Sequence, residues 1–175
     1  ECYNQLVFLS EPVYIALKKN HLNQVIAAAE LTTEMRSIIH TLKYQSVKEI
    51  GFTLAHLLYF TTNIPKTDLI TCVPLHPIRL QERGFNQAAV IAQELAKLTQ
   101  VRFVDTLQRI VNSTHQASLG SKSARLHHLD NHFCLSIEPN QIANHSILLV
   151  DDVCTTGSTL NECAKVLKTN GAASV

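Results

Sequence analysis

The sequence contains no tryptophan, one methionine, five glycines and five prolines in 175 residues. With 46% hydrophobic and 17% charged residues, this composition excludes disorder, a collagen-like chain and a heptad rod. Charge of one sign is also missing. Fifteen Lys and Arg balance 14 Asp and Glu, so the net charge is +1. That argues against a surface coated for non-specific DNA or membrane binding, and any anion site must be local. No apolar run approaches the ~20 residues of a membrane span, and aliphatic stretches such as Ile147-Leu148-Leu149-Val150 are short. Nothing at the N-terminus has the basic, apolar and small-residue layout of a signal peptide. The five cysteines (Cys2, Cys72, Cys134, Cys154, Cys163) form no CxxC pair and are odd in number. A disulfide framework is therefore not expected, and a reducing cytoplasm is the expected compartment.

Internal repeats are absent too, and the length suits one domain. Residues 1–31 read as a leader, broken by Pro12, in which Val25–Ala29 could be a strand or a helix. The domain proper is expected over 32–175. The chain opens at Glu1 rather than Met and stops at Ser174-Val175, which reads as the first step of a further strand. A start upstream and a truncated last strand are expected. Thr33 can cap a helix with Met35, Ile38, Ile39 and Leu42 on one stripe. Ser46-Val47-Lys48-Glu49 reads as a capping box for a helix burying Ile50, Leu54, Leu57 and Leu58, stopped by Asn63-Ile64-Pro65. Leu69–Val73 and Ser146–Val150 read as strands covered on both faces, and Val101–Val104 as another strand. Ala88, Ile91, Ala92 and Leu95 form a helical stripe, as do Leu160, Cys163, Ala164 and Leu167, with Gly171 at the C-cap. Phe133, Leu135 and Ile137 alternate as in a half-buried strand; 105–131 is polar and unassigned. Alternating strands and helices predict an α/β fold, a mostly parallel sheet flanked by helices.

The most informative segment is Val150-Asp151-Asp152-Val153-Cys154-Thr155-Thr156-Gly157-Ser158-Thr159. A buried strand delivers two carboxylates to its C-terminal edge, where open α/β sheets bind ligands. A loop of small hydroxyl residues with one glycine then enters a helix. Its amides, hydroxyls and helix N-terminus can surround a phosphate. Like charges repel, so the acids cannot hold that phosphate. They suit hydroxyl groups, which donate to them, or Mg2+ bridging to the ligand. A sugar phosphate meets both demands. The competing structural role is that Asp151 and Asp152 cap the turn and Thr155–Thr159 only start the helix. Neither GxxxxGK[ST] nor GxGxxG occurs.

This segment resembles the phosphoribosyl pyrophosphate (PRPP) motif of type I phosphoribosyltransferases. Val73-Pro74-Leu75-His76-Pro77-x-Arg79-Leu80-x-x-Arg83-Gly84-Phe85-Asn86-Gln87-Ala88 is similar to the signature of the ComF/GntX competence proteins. Ile39-His40-x-Leu42-Lys43-Tyr44 matches further, and His115-Gln116-Ala117-x-Leu119 with Arg125 more loosely. The resemblance runs from Met35 to Val175. It implies a type I phosphoribosyltransferase-like, Rossmann-like fold binding PRPP. Asp151 and Asp152 would face the ribose diol and Mg2+, with Thr155, Thr156, Gly157, Ser158 and Thr159 around the 5′-phosphate. Leu75 and His76, in the loop after Val73, would approach the pyrophosphate, and 105–125 would close over the site. Arg79 and Arg83 suit pyrophosphate because guanidinium gives forked, charge-assisted hydrogen bonds; a solvated helix or loop face is the alternative for both. Asn86 and Gln87 could orient a ligand amide or cap the next helix, capping being favoured for Asn86.

Three departures from the family pattern stand out. Transferases acting on 6-oxopurines carry an acid at the position of Thr155, so a proton-transfer role has no owner here. ComF proteins usually carry a four-cysteine zinc module at the N-terminus, where this chain has only Cys2, so zinc is expected only if a longer chain supplies that module. Arg125-Leu126-His127-His128-Leu129-Asp130-Asn131-His132-Phe133 carries histidines in place of the family's Asn and Ala.

His127, His128 and His132 with Cys134 suggest zinc, yet His128 and His132 share a face only on a helix, and surface histidines are the favoured reading. His76 could donate to an anion or pack on its turn; Lys43 and Tyr44 could line the acceptor side or close a helix. Cys154 reads as a tolerated small residue. The resemblance implies a phosphoribosyltransferase with an unknown acceptor, or a PRPP- or nucleotide-sensing module acting with DNA-uptake or recombination proteins. Direct single-strand DNA binding is disfavoured by the absent tryptophan and balanced charge.

Overall fold

The computed structural model describes residues 7–9, 20–44, 47–110 and 132–175. Its centre is a parallel sheet in the order β2-β1-β5, with β1 Leu69–Cys72, β2 Arg102–Phe103 and β5 Ile147–Val150. Ser174 forms a parallel bridge with Ser146 on the other side of β5. Strands β3 (Leu107–Arg109) and β4 (Phe133–Leu135) make a separate antiparallel ribbon.

The period-two alternation of the central strands splits the core between two faces. Leu69, Val73 and Ile147 pack with Leu160, Cys163 and Leu167 of α5 (Ser158–Thr169). Ile70, Cys72 and Val150 pack on the other face with Ala88, Ile91, Ala92 and Leu95 of α4 (Gln87–Thr99). Each fully buried aliphatic side chain of these clusters contributes roughly 1.5–3 kcal/mol. Thr71 breaks the apolar pattern. Its hydroxyl is buried against that of Thr106 at 2.8 Å, tying the chain after β2 to β1.

Helix α1 (Thr33–Tyr44) buries Met35, Ile39 and Leu42, as the stripe predicts, with Ile38 half-buried. Thr32 rather than Thr33 caps it, accepting from the Met35 amide at 3.3 Å. Helix α2 (Lys48–Thr61) differs from expectation. Its most buried residues are Gly51 and Ala55, while Ile50, Leu54, Leu57 and Leu58 are only half-buried. The physical reason is close packing against α4: a Cβ on Gly51 would stand 2.7 Å from Cγ1 of Val90. Ser46, the first member of the expected capping box, lies outside the described residues.

A seven-residue helix, α3 (Pro77–Arg83), occupies the stretch that sequence periodicity left blank. Val25–Ala29 form neither a named strand nor a helix: 25–28 are irregular, and Ala29 alone is bridged antiparallel to Phe8. Residues 20–23 pack onto the domain rather than away from it: the His21 amide donates to Asn161 Oδ1 at 2.7 Å and Asn23 to the Val175 carbonyl at 2.7 Å. Gly171 has φ 98° just past α5, the left-handed position that favours glycine. No helix among the described residues is long and apolar enough to cross a membrane.

Candidate functional site

Strands β1 and β5 pair in register, Cys72 opposite Val150, and the Val73 amide donates to the Val150 carbonyl at 2.9 Å. The loops that follow them, 74–76 and 151–157, therefore leave the same sheet edge side by side. This is the edge at which parallel α/β sheets bind ligands.

On the β5 side, Asp151 Oδ1 accepts the Asp152 amide at 2.8 Å. Burial, and then the charge of Asp152, push the Asp151 carboxyl up to about 7; the Asp152 amide and Lys43 pull the other way. Asp152 points elsewhere. Its Oδ2 is buried 2.8 Å from Nζ of Lys43 in the last turn of α1, a charge contact without hydrogen-bond direction. Both carboxylates are present where the sequence places them, but one is already paired.

Thr155, Thr156, Ser158 and Thr159 are exposed, while Gly157 is buried with φ 75°. A side chain there would be strained, so the glycine lets the loop turn sharply into α5. Gly157 itself offers no capping side chain, and the first amide of α5, that of Ser158, donates only a long bond to Thr156 Oγ1 at 3.4 Å. Thr156 and Ser158 share a hydroxyl contact at 2.9 Å over that start. The positive end of a helix dipole and exposed hydroxyls thus meet at one place. A cavity of about 890 Å³ opens alongside, between residues 22–31, α1, α2 and β5. Its walls are largely aliphatic, and Asp151, Asp152, Thr155 and Thr156 form its polar end.

On the β1 side, Leu75 and His76 are half-buried in the connecting loop. His76 caps α3, its Nδ1 accepting from the Ile78 amide at 3.2 Å, and Pro77 takes the first helical position. Arg79 pairs with Glu82 at 3.0 Å on the exposed face. His76, Arg79 and Glu82 line a small open cleft of about 390 Å³ together with Arg109 at the end of β3. Arg109 rests on the Phe133 ring, 5.4 Å from its centroid. Sequence reasoning missed it because nothing local marks a residue brought in from another sheet.

Arg83 is not part of this cleft. Its guanidinium lies 5.0 Å over the Tyr44 ring, with Nη1 donating to Gln87 Oε1 at 3.2 Å and Nη2 to the Tyr44 hydroxyl at 3.5 Å. Gln87 is buried. Asn86 is the helix cap expected of it: Oδ1 accepts the Ala88 amide at 3.1 Å, and Nδ2 also donates to the Val73 carbonyl at 2.9 Å. Lys43 was a half-legible feature. Its position at the end of the α1 stripe indicated the helix terminus, but not the partner.

The metal readings gain little. Among the described residues, no group of three or more His, Cys, Asp and Glu side chains could hold a metal ion. His132 meets Glu162 at 3.2 Å, and Cys134 receives Gln108 Nε2 at 3.3 Å. His127, His128 and Cys2 lie outside the described residues, as do His115, Gln116, Ala117, Leu119, Arg125 and residues 111–125 of the expected closing stretch 105–125. For Mg2+ the fit is partial. Two carboxylates with a ligand's phosphates make an ordinary Mg2+ environment, but Lys43 already holds Asp152. The Cys154 thiol is exposed, and burial and then Asp151 raise its pKa, opposite to what a nucleophile needs.

Residues 80–175 match the phosphoribosyl transferase domain family. Competence protein F of Haemophilus influenzae is 35% identical over 142 residues, covering 77% of this chain and 62% of that protein. DNA utilization protein YhgH of Escherichia coli is 31% identical over 159 residues, covering 87% of this chain and 69% of that protein. Among solved structures, the glutamine PRPP amidotransferase of B. subtilis, complexed with ADP and GMP, is similar with a TM-score of 0.48 and 17% identity. That similarity covers 72% of this chain and 24% of the other. The chain thus spans about two thirds of the length of these curated relatives. With the matched domain, the parallel sheet flanked by helices and the paired loops at its edge, the chain belongs to the ComF family of proteins with a type I phosphoribosyltransferase-like fold.

Proposed function

We propose that this chain binds PRPP across the two loops and serves the uptake or use of DNA, the role that the names of its relatives indicate. The observation that carries the reading is the juxtaposition of a carboxylate pair with a helix start entered through glycine and lined by exposed hydroxyls. The ribose diol would donate to Asp151 and Asp152, and the 5′-phosphate would sit among Thr155, Thr156, Gly157, Ser158 and Thr159. The pyrophosphate would lie toward Leu75, His76 and Arg79, with Arg109 completing the cationic wall. Mg2+ would be held by the ligand's phosphates and Asp151, and when bound it would neutralise charge on the leaving group.

In a transfer to an unknown acceptor, the chain's residues would hold the ribose by its diol and receive the leaving charge on arginines and amides. Thr155 supplies no carboxylate to take a proton from the acceptor, and this favours a second reading: a PRPP-sensing module acting through DNA-uptake or recombination proteins. Calorimetric titration with PRPP and Mg2+ tests the site. Binding is expected for the wild type and lost in Asp151→Asn/Asp152→Asn; equal affinities would refute the assignment. Pyrophosphate release that rises with a particular acceptor would mark an enzyme, and slow acceptor-independent release a sensor.

A further inference from the structure

We infer that Lys43 is the built-in counter-cation of the acidic pair, so that the ribose end of the site works without a divalent ion on Asp152. The inference rests on the PRPP reading for its ligand, but its geometry stands alone. Lys43 Nζ lies 2.8 Å from Asp152 Oδ2, and the two side chains are only 24% and 11% exposed. An exposed lysine pair would be a solvated ornament worth little; this one is largely withdrawn from water, where an unpaired carboxylate is strongly disfavoured.

The lysine is also held in place. Leu42, the preceding residue, is fully buried, and Tyr44, the next, lies beneath the Arg83 guanidinium. Buried Leu42 therefore anchors the last turn of α1, the exposed Tyr44 adds its contact with Arg83, and the Lys43 ammonium reaches the loop after β5. A Mg2+ ion needs carboxylate oxygens at about 2.0–2.1 Å in a near-octahedral shell. An ion on Oδ2 would have to displace the ammonium or share an oxygen with it, and two cations at such a distance repel strongly. Lysine's four-carbon stem lets the ammonium follow Asp152 as a diol arrives, so ribose and lysine can share the carboxylate where lysine and metal cannot. Mg2+ would then be required only by the pyrophosphate of the ligand.

Ribose 5-phosphate, which carries the diol and the 5′-phosphate but no pyrophosphate, separates the two ends. Its affinity for the wild-type chain is expected to be equal, within about twofold, in EDTA and in millimolar Mg2+. Lys43→Gln is expected to bind it roughly tenfold more weakly in EDTA, to recover with Mg2+, and to bind Mn2+ alone about tenfold more tightly than the wild type. Lys43→Arg, which keeps the charge, is expected to stay metal-independent. Wild-type binding of ribose 5-phosphate that disappears in EDTA would overturn the inference. So would Mn2+ binding as tight in the wild type as in Lys43→Gln. If ribose 5-phosphate binds neither protein in either buffer, the PRPP reading fails, and the Mn2+ comparison still decides the role of Lys43.

Discussion

Replacing Asn86 separates two jobs that one side chain performs at the junction of the β1 loop and α4. Its Oδ1 accepts the Ala88 amide at 3.1 Å and its Nδ2 donates to the Val73 carbonyl at 2.9 Å. Loss of a helix cap costs about 1 kcal/mol. Val73 is 7% exposed, so its carbonyl left without a donor costs about 1–3 kcal/mol more. Asn86→Ala should therefore lower stability by about 2–4 kcal/mol. Asn86→Ser keeps a capping oxygen but cannot reach Val73, and should recover only about 1 kcal/mol. Asn86→Asp also keeps the cap, yet it sets a carboxylate oxygen against the Val73 carbonyl and should gain nothing over Ser. Urea unfolding reads these values as midpoint shifts at constant slope. Asn86→Ser as stable as the wild type would refute the tie to Val73, and Asn86→Ala within about 0.5 kcal/mol of wild type would refute both roles.

Two other perturbations follow from the packing and the site. Asp151 has a folded-state pKa raised to about 7, chiefly by burial and then by Asp152, so the folded state holds a proton that the unfolded chain has already released. This stabilising contribution is complete below the unfolded value near 3.8 and is lost as pH rises through about 7. Urea midpoints should fall between roughly pH 4 and 7 in the wild type, level off above that and stay flatter in Asp151→Asn, a difference of order 4 kcal/mol; parallel profiles would contradict the buried acid. Gly51→Ala gains about 1 kcal/mol of helix propensity but drives a Cβ to within 2.7 Å of Val90 Cγ1. Valine is stiff in a helix and overpacking costs about 1–3 kcal/mol, so the net effect should be destabilising. In a Val90→Ala background, where only the Cβ at 3.3 Å remains, the same change should cost clearly less, and a double-mutant cycle without that relief would sink the argument.

The sequence reveals an element when its side chains repeat with one period against one neighbour. The stripes of α4 and α5 do this, and Ala88, Ile91, Leu95, Leu160 and Leu167 are buried where the spacing puts them. Helix α2 misleads because its tightest contact uses Gly51 and Ala55, residues too small to register as an apolar face, leaving the large aliphatics half-buried beside a cavity. Helix α3 escapes notice because none of its seven residues is buried. Only local chemistry marks it: a histidine side chain capping the helix that Pro77 begins.

The same distinction governs the site. Asp151, Asp152 and the hydroxyl loop are contiguous, so their chemistry can be read from order alone. Arg79 and Arg83 look equivalent in the sequence, four residues apart on one helix, yet one lines the cleft with His76 and the other lies on Tyr44. What separates them is the end of α1, which no spacing rule connects to α3. That helix also brings Lys43 to Asp152. A carboxylate pair read without its cation calls for a metal, whereas the same pair beside a half-buried ammonium needs none on that oxygen. The fold therefore does more than present a motif: by bringing Lys43 from the end of α1 to Asp152, it bears on which ions the motif can accept.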